Sequence, residues 1–137
     1  MTMTEEWFQG RLLELPQDEC LELLAVKQVG RLAYADEDGL AVAPVNYVVD
    51  GGSVYFRTSP HTSLGRNLLN ATVAFEVDEV DDFTQSGWSV LVRGPAERVG
   101  VDDLPAAARP TPWAQGSRTL HVRIRPRSVT GRRLLPG

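Results

Sequence analysis

Apolar positions along this chain fall mainly in short alternating runs, the period-two pattern of half-buried strands, and each run is closed by turn residues. Arg31–Ala35 leads into Asp36-Glu37-Asp38-Gly39, and Leu40–Val49 leads into Asp50-Gly51-Gly52. Ser53–Thr58 completes a predicted meander rich in Val, Tyr and Phe. Val73–Val77 reads as a further strand, and Gly87–Val99 as a long one with a bulge or bend at Gly94-Pro95. Thr119–Arg125 and Ser128–Leu134 read as the last strands, broken at Pro126. The stretch Glu76–Asp82, with five carboxylates in seven residues, reads as a solvated hairpin loop.

Helical signals are fewer. Pro16 at a first-turn position, Asp18 and Glu19 behind it, and then Leu21, Leu23, Leu24 and Ala25 predict a helix ending at Gly30. Leu64–Asn70 predicts a second, with Leu64, Leu68 and Leu69 on one face, and Asp102–Ala108 a third, capped by its own aspartates. Residues 1–15 form an N-terminal arm without a defined pattern, whose Trp7, Phe8, Leu12 and Leu13 are free to dock on a core or a partner. Arg109–Ser117, around Trp113, reads as irregular. Six or seven strands with two or three short helices favour a small antiparallel barrel or sandwich over a parallel βαβ fold. With no internal repeat and no linker, residues 1–137 read as a single domain.

Composition narrows the function classes. At 137 residues the chain can bury about two-thirds of its unfolded surface without a metal or disulfide staple. A net charge of −4 argues against a dedicated binder of nucleic acid or anionic membrane. The positive charge is nonetheless concentrated, with six arginines between Arg118 and Arg133. Cys20 is the one cysteine, which excludes an internal disulfide and a thiolate zinc cluster. The N-terminus has acidic residues where a signal peptide has basic ones, and no apolar run nears the ~20 residues of a membrane span. The expectation is a soluble, cytoplasmic protein.

The inventory of self-contained chemistry is poor. G-x-G-x-x-G, Walker A, H-E-x-x-H and G-x-S-x-G are all missing. His61 and His121, the two histidines, lack a third ligand at metal spacing, and Cys20 sits on the apolar face of a predicted helix as a buried, inert thiol. No catalytic side chain and no metal site is assigned. If this chain does chemistry, a bound cofactor carries it.

Three segments remain. In Val54–Leu64, VYFRTSPHTSL, a strand ends at Arg57 and Thr58, turns at Pro60 and enters a helix through Thr62 and Ser63. One guanidinium and four hydroxyls beside a helix start suit a phosphate; the plainer reading is a capped helix with Arg57 paired to a surface carboxylate. In Leu40–Tyr47, Pro44 marks an edge or bulge, and Asn46 either meets a ligand edge or bonds neighbouring backbone. In Gly87–Val99, Trp88 either covers a planar cofactor or packs in the core or a subunit interface. Arg123, Arg125 and Arg127 alternate along a strand, as an anion site or a solvated basic face.

Taken together, these segments resemble the pyridoxamine 5′-phosphate oxidase-like, FMN-binding split-barrel family in its short bacterial form. The resemblance runs through Cys20–Ala33, Pro44-Val45-Asn46-Tyr47, the F-R-T-S-P-H-T-S-L loop, Ala74–Asp78, Gly87–Val99 and the terminal V-R-I-R-P and V-T-G-R-R, and covers about residues 17–134. It implies a mainly β fold, a six-stranded antiparallel split β-barrel with flanking short helices, forming a homodimer with two flavin sites at the subunit interface. By the same resemblance Ala43, Val45 and Asn46 line the isoalloxazine ring. Arg57 and Thr58 meet the ribityl phosphate, with Thr62, Ser63 and Leu64 in the phosphate loop. Trp88 and Ser89 reach the ring from the other subunit.

Relatives usually carry a Lys or Arg about where Ser63 stands, and Arg66 is the candidate substitute. The R-x-H pair of vitamin B6 oxidases is matched here only in reverse, as His121-Val122-Arg123, which argues against pyridoxamine phosphate oxidation. The resemblance thus implies an FMN-dependent oxidoreductase acting on a small molecule. The alternatives are a deazaflavin-dependent reductase, whose longer anionic coenzyme tail the C-terminal arginines would meet, and a non-catalytic flavin or haem module with His61 or His121 as axial ligand.

Overall fold

A computed structural model of the chain describes residues 11–109 and 120–136. It is mainly β: eight strands, two short helices and two 3-10 turns. In chain order they are β1 (Arg11–Glu14), α1 (Gln17–Leu24), β2 (Val29–Asp36), β3 (Gly39–Asp50), β4 (Ser53–Thr58), α2 (Ser63–Asn67), β5 (Thr72–Asp81), β6 (Ser86–Arg98), the 3-10 turns Val101–Asp103 and Ala106–Ala108, β7 (Leu120–Ile124) and β8 (Ser128–Leu135).

All pairings are antiparallel, in the order β1-β8-β6-β5-β2-β3-β4-β7, and a further β6–β7 pairing closes six of the strands into a barrel. Closure depends on the edge of β6 away from β5 serving two neighbours. Gly87–Arg93 pair with β8, and Ala96–Arg98 pair with β7. The change of partner falls at Gly94-Pro95, where a Cβ on residue 94 would sit 2.0 Å from the Arg125 carbonyl oxygen. Only a glycine admits that approach. The β3–β4 hairpin turns on Gly51 and Gly52, both at positive φ (56° and 81°), the two-residue geometry that matches strand twist.

The alternation read from the sequence sorts each strand into two faces. Leu32, Val45, Val54, Phe56, Phe75, Val77, Val90, Val92, Val122 and Ile124 fill one continuous core, which Cys20 and Leu24 of α1 and Leu64 and Leu68 of α2 and its C-cap join. Tyr47 ties α1 to the barrel: its ring meets Phe75 edge-on, and its hydroxyl donates to the Leu24 carbonyl at 2.5 Å. Outside the barrel, Tyr55 packs with Val99 and Leu104 in a small satellite cluster that seats residues 99–109 on the outer surface.

Several expectations need correction. The first helix ends at Leu24, and Gly30 lies inside β2. It is glycine because the Phe75 ring occupies the space a Cβ would need, 2.3 Å away. The acidic stretch is largely strand: β5 continues to Asp81, and Glu76 and Asp78 both bind Arg31 of β2 at 2.8 Å. Residues 102–108 form 3-10 turns without side-chain caps, and the second helix stops at Asn67. Part of the N-terminal arm is ordered as β1, with Leu12 and Leu13 exposed; Trp7, Phe8 and Trp113 lie outside the described residues. Among the described residues, no helix is long and apolar enough to cross a membrane.

Candidate functional site

A cavity of about 460 Å³ opens where residues 104–109 lie over the outer surface of β3, β4 and β7. That volume is within the usual range for cofactor and substrate clefts. One wall is made by Pro44, Asn46 and Val48 of β3, Tyr55, Arg57 and Thr58 of β4, and His121 of β7. Leu104, Ala107, Ala108 and Arg109 make the opposite wall, and Val45, Tyr47, Phe56 and Leu64 contribute from the barrel side.

Strand pairing explains how distant residues meet. Arg57 and His121 are partners in the β4–β7 register, so both project to the same face. His121 is 7% exposed, and its pKa is lowered, first by burial and then by the positive charge of Arg57. The imidazole is therefore neutral at physiological pH, with one nitrogen to donate and one to accept. Arg57 has no carboxylate partner among the described residues, and no carboxylate lines the cavity. In a chain of net charge −4, this is a cationic recess.

Of the residues marked out by the sequence, Val45, Asn46, Arg57, Thr58 and Leu64 line this cavity. Thr62 and Ser63 do not. The Thr62 hydroxyl donates to the Ser59 carbonyl (2.9 Å) and accepts from the Gly65 amide (3.0 Å) as the N-cap of α2. The Ser63 hydroxyl points to Asp36 (3.4 Å). Arg66 turns back on the His61 carbonyl at 2.7 Å. The hydroxyl-rich loop thus satisfies itself, and Thr58, 3.4 Å from the Thr62 hydroxyl, is its member at the cavity.

Ala43 packs against the core; Trp88, 8% exposed, is part of it. Trp88 and Ser89 sit on β6 between β5 and β8, outside the cavity lining. Arg123 and Arg125 both bind Glu97, which gives that basic face a structural role. His121, Tyr55 and Arg109 are lining residues that sequence reasoning did not place there. Cys20 is buried against Gly131 and its thiol pKa is raised, chiefly by burial.

The donor set answers the chemistry of a flavin phosphate: a fork-shaped guanidinium, a threonine hydroxyl and a neutral imidazole stand beside apolar and aromatic walls for a ring. Comparison with known proteins places the chain in a family. Residues 16–133 match the family described as pyridoxamine 5′-phosphate oxidase. The uncharacterized protein Rv0080 of Mycobacterium tuberculosis is 33% identical over 131 residues, covering 90% of this chain and 86% of that protein. An FAD binding protein from Mycobacterium smegmatis superposes with a TM-score of 0.71 at 32% identity, over 90% of this chain and 98% of the other. An FAD-binding protein from Mesorhizobium loti gives 0.69 at 25% identity, over 91% and 98%.

Proposed function

The chain belongs to the pyridoxamine 5′-phosphate oxidase family, and from that premise we propose that it binds a flavin nucleotide in the cavity between β3–β4–β7 and residues 104–109 and acts as a flavin-dependent oxidoreductase on a small molecule. The observation that carries this reading is the cationic recess, in which Arg57 stands without a carboxylate partner among the described residues beside the buried His121. FMN is the minimal ligand that uses it. Arg57 and Thr58 hold the phosphate, Asn46 offers hydrogen bonds to a ring edge, and Pro44, Val48 and Tyr55 shield an apolar face from water. A bound flavin supplies reversible hydride and electron transfer, which this chain's side chains do not.

The same proposal includes a second copy of the chain. Leu40 and Val42, on the same exposed face of β3 as Pro44, are 91% and 67% exposed, a large apolar pair on the strand that lines the cavity. In such a homodimer Ser89, on the face of β6 opposite the core, is the one of that pair placed to approach the ring from the partner, while Trp88 stays in its own core.

The test is a visible spectrum of purified protein before and after excess FMN and desalting, for the native chain and for Arg57→Ala, with gel filtration in parallel. Retained flavin near one per subunit in the native protein, and at least a tenfold weaker complex in a still-folded Arg57→Ala, is the expected result. Equal retention by the two proteins rejects the phosphate assignment.

A further inference from the structure

We propose that the β5–β6 hairpin is an arm that reaches a second copy of this chain, where its tip residue Phe83 completes the wall of the cavity described above. The inference rests on the homodimer proposed with the flavin reading and extends it by naming which part of one subunit enters the other's site. Strand pairing defines the arm. β5 pairs with β2 only through Ala74–Glu76, but with β6 as far as Asp81, so residues 77–86 run on past β2 as a two-stranded hairpin. Phe83 at its tip is 94% exposed, and Val80 behind it 58%. The tip is ordered by its own side chains. Asp81 Oδ1 accepts from the backbone amides of Phe83 (2.9 Å) and Thr84 (3.1 Å), and the Thr84 and Ser86 hydroxyls are 2.7 Å apart. A large apolar side chain held in water by an ordered turn meets a partner without a further ordering cost.

The register gives the arm its destination. Arg31 of β2 stands opposite both Glu76 of β5 and Pro44 of β3, so the three share the outward face of the sheet. β5 and β3 are both antiparallel to β2 and flank it, which puts Asp78 and Val80 level with Asn46 and Val48. Leu40 and Val42 lie on the same face. A two-fold axis parallel to β2 that packs two such faces together carries β5 of one copy onto β3 of the other at the same level. Val80 then meets Val48, and the tip comes to the part of the lining where Val48 stands opposite Tyr55. The two surfaces match in chemistry as well. Phe83 finds apolar and aromatic neighbours there. Asp82, which has no cationic partner among the described residues, enters a recess that holds Arg57 and Arg109 and no carboxylate.

The experiment replaces Phe83 of the full chain by the photoreactive p-benzoylphenylalanine, irradiates the protein and maps the attached peptide by mass spectrometry. Sedimentation of the native chain and of Phe83→Ser over a dilution series runs beside it. The expected product is a covalent dimer on a denaturing gel, joined to residues 44–58 or 104–109 of the second copy. Phe83→Ser should raise the dimer dissociation constant at least about tenfold, as for loss of an aromatic anchor, with an unchanged circular dichroism spectrum. A native dimer whose cross-links fall elsewhere, stay within one chain or do not form overturns the inference and leaves the homodimer standing. So does a Phe83→Ser dimer that dissociates like the native one. If the native chain is monomeric at every concentration, the homodimer reading fails and this inference with it, while flavin retention is judged separately by the visible spectrum.

Discussion

Arg57 and His121 are register partners on adjacent strands, and both side chains open into one cavity. Burial and the neighbouring guanidinium act on the imidazole in the same direction, and both disfavour its protonated form. The pairing therefore keeps one fixed cation beside one neutral, two-way hydrogen-bonding group.

That arrangement sets a pH dependence. With its folded pKa lowered, His121 stays neutral in the native state while the unfolded chain takes up a proton near pH 6.5. Its contribution to stability is full above that pH and is lost as pH falls toward the folded value. Urea unfolding at pH 8 and pH 5 should show a larger loss for the native chain than for His121→Gln. His61 is present in both proteins and cancels. Identical losses would place the imidazole in water.

Tyr47→Phe should destabilise the protein by about 1–2 kcal/mol, because the buried Leu24 carbonyl loses its hydroxyl donor at the end of α1. Burial also pushes the Tyr47 phenol up to about 12. Between pH 10 and 12 the unfolded chain releases this proton while the native state keeps it, so stability falls over that range. The phenylalanine variant should lack that part of the alkaline decline in a denaturant titration.

Gly65→Ala tests the loop that follows Arg57. An added Cβ would lie 2.0 Å from the Ser59 carbonyl oxygen and 2.9 Å from Pro60 Cα, both backbone atoms that cannot turn aside. The turn must shift, at a cost of about 1–3 kcal/mol. Flavin affinity should fall with it, since Thr58 and Leu64 bracket the displaced segment and both line the cavity. Thermal unfolding and an FMN titration of the variant measure the two effects separately.

Val42→Arg addresses the proposed dimer. Val42 is 67% exposed, so a charge there is harmless to an isolated subunit. In a homodimer that covers β3 it buries an unpaired cation in each subunit, and gel filtration should show monomer. A dimer that persists in the variant would move the interface elsewhere.

Much of the barrel was legible because alternation and turn chemistry agree. Ser53–Thr58 is strand at the predicted residues, and Gly51-Gly52 is the hairpin its sequence announces. Two of the errors share a cause, which is long-range contact. Gly30 reads locally as a helix stop, yet what requires glycine there is the Phe75 ring from β5. The carboxylates of 76–81 read as solvent-facing loop because their partner, Arg31, lies on β2. Within that stretch Glu76 has its pKa raised, first by burial and then by Asp78, which a loop would not do.

The site divides in the same way. Arg57, Thr58 and Asn46 announce themselves as polar residues in or closing apolar runs. His121 becomes visible only once β7 is known to pair with β4, and Arg109 only once residues 104–109 are known to fold over β3. Thr62 and Ser63 carried a phosphate-loop signal, but their hydroxyls bond within the turn or to Asp36. Composition identifies donors; only geometry shows which are already engaged.

The β3–β4 turn carries more than the hairpin. Along β4, Val54 and Phe56 point to the core, from where Phe56 also reaches the cavity, while Tyr55 and Arg57 face the cavity from the other side of the strand, so fold and ligand site are written on alternate letters of one short strand. A one-residue slip of β4 against β3 would exchange the two faces, turning Arg57 inward and Phe56 outward. Two glycines outside the cavity lining thus help to keep the reading frame in which the site exists.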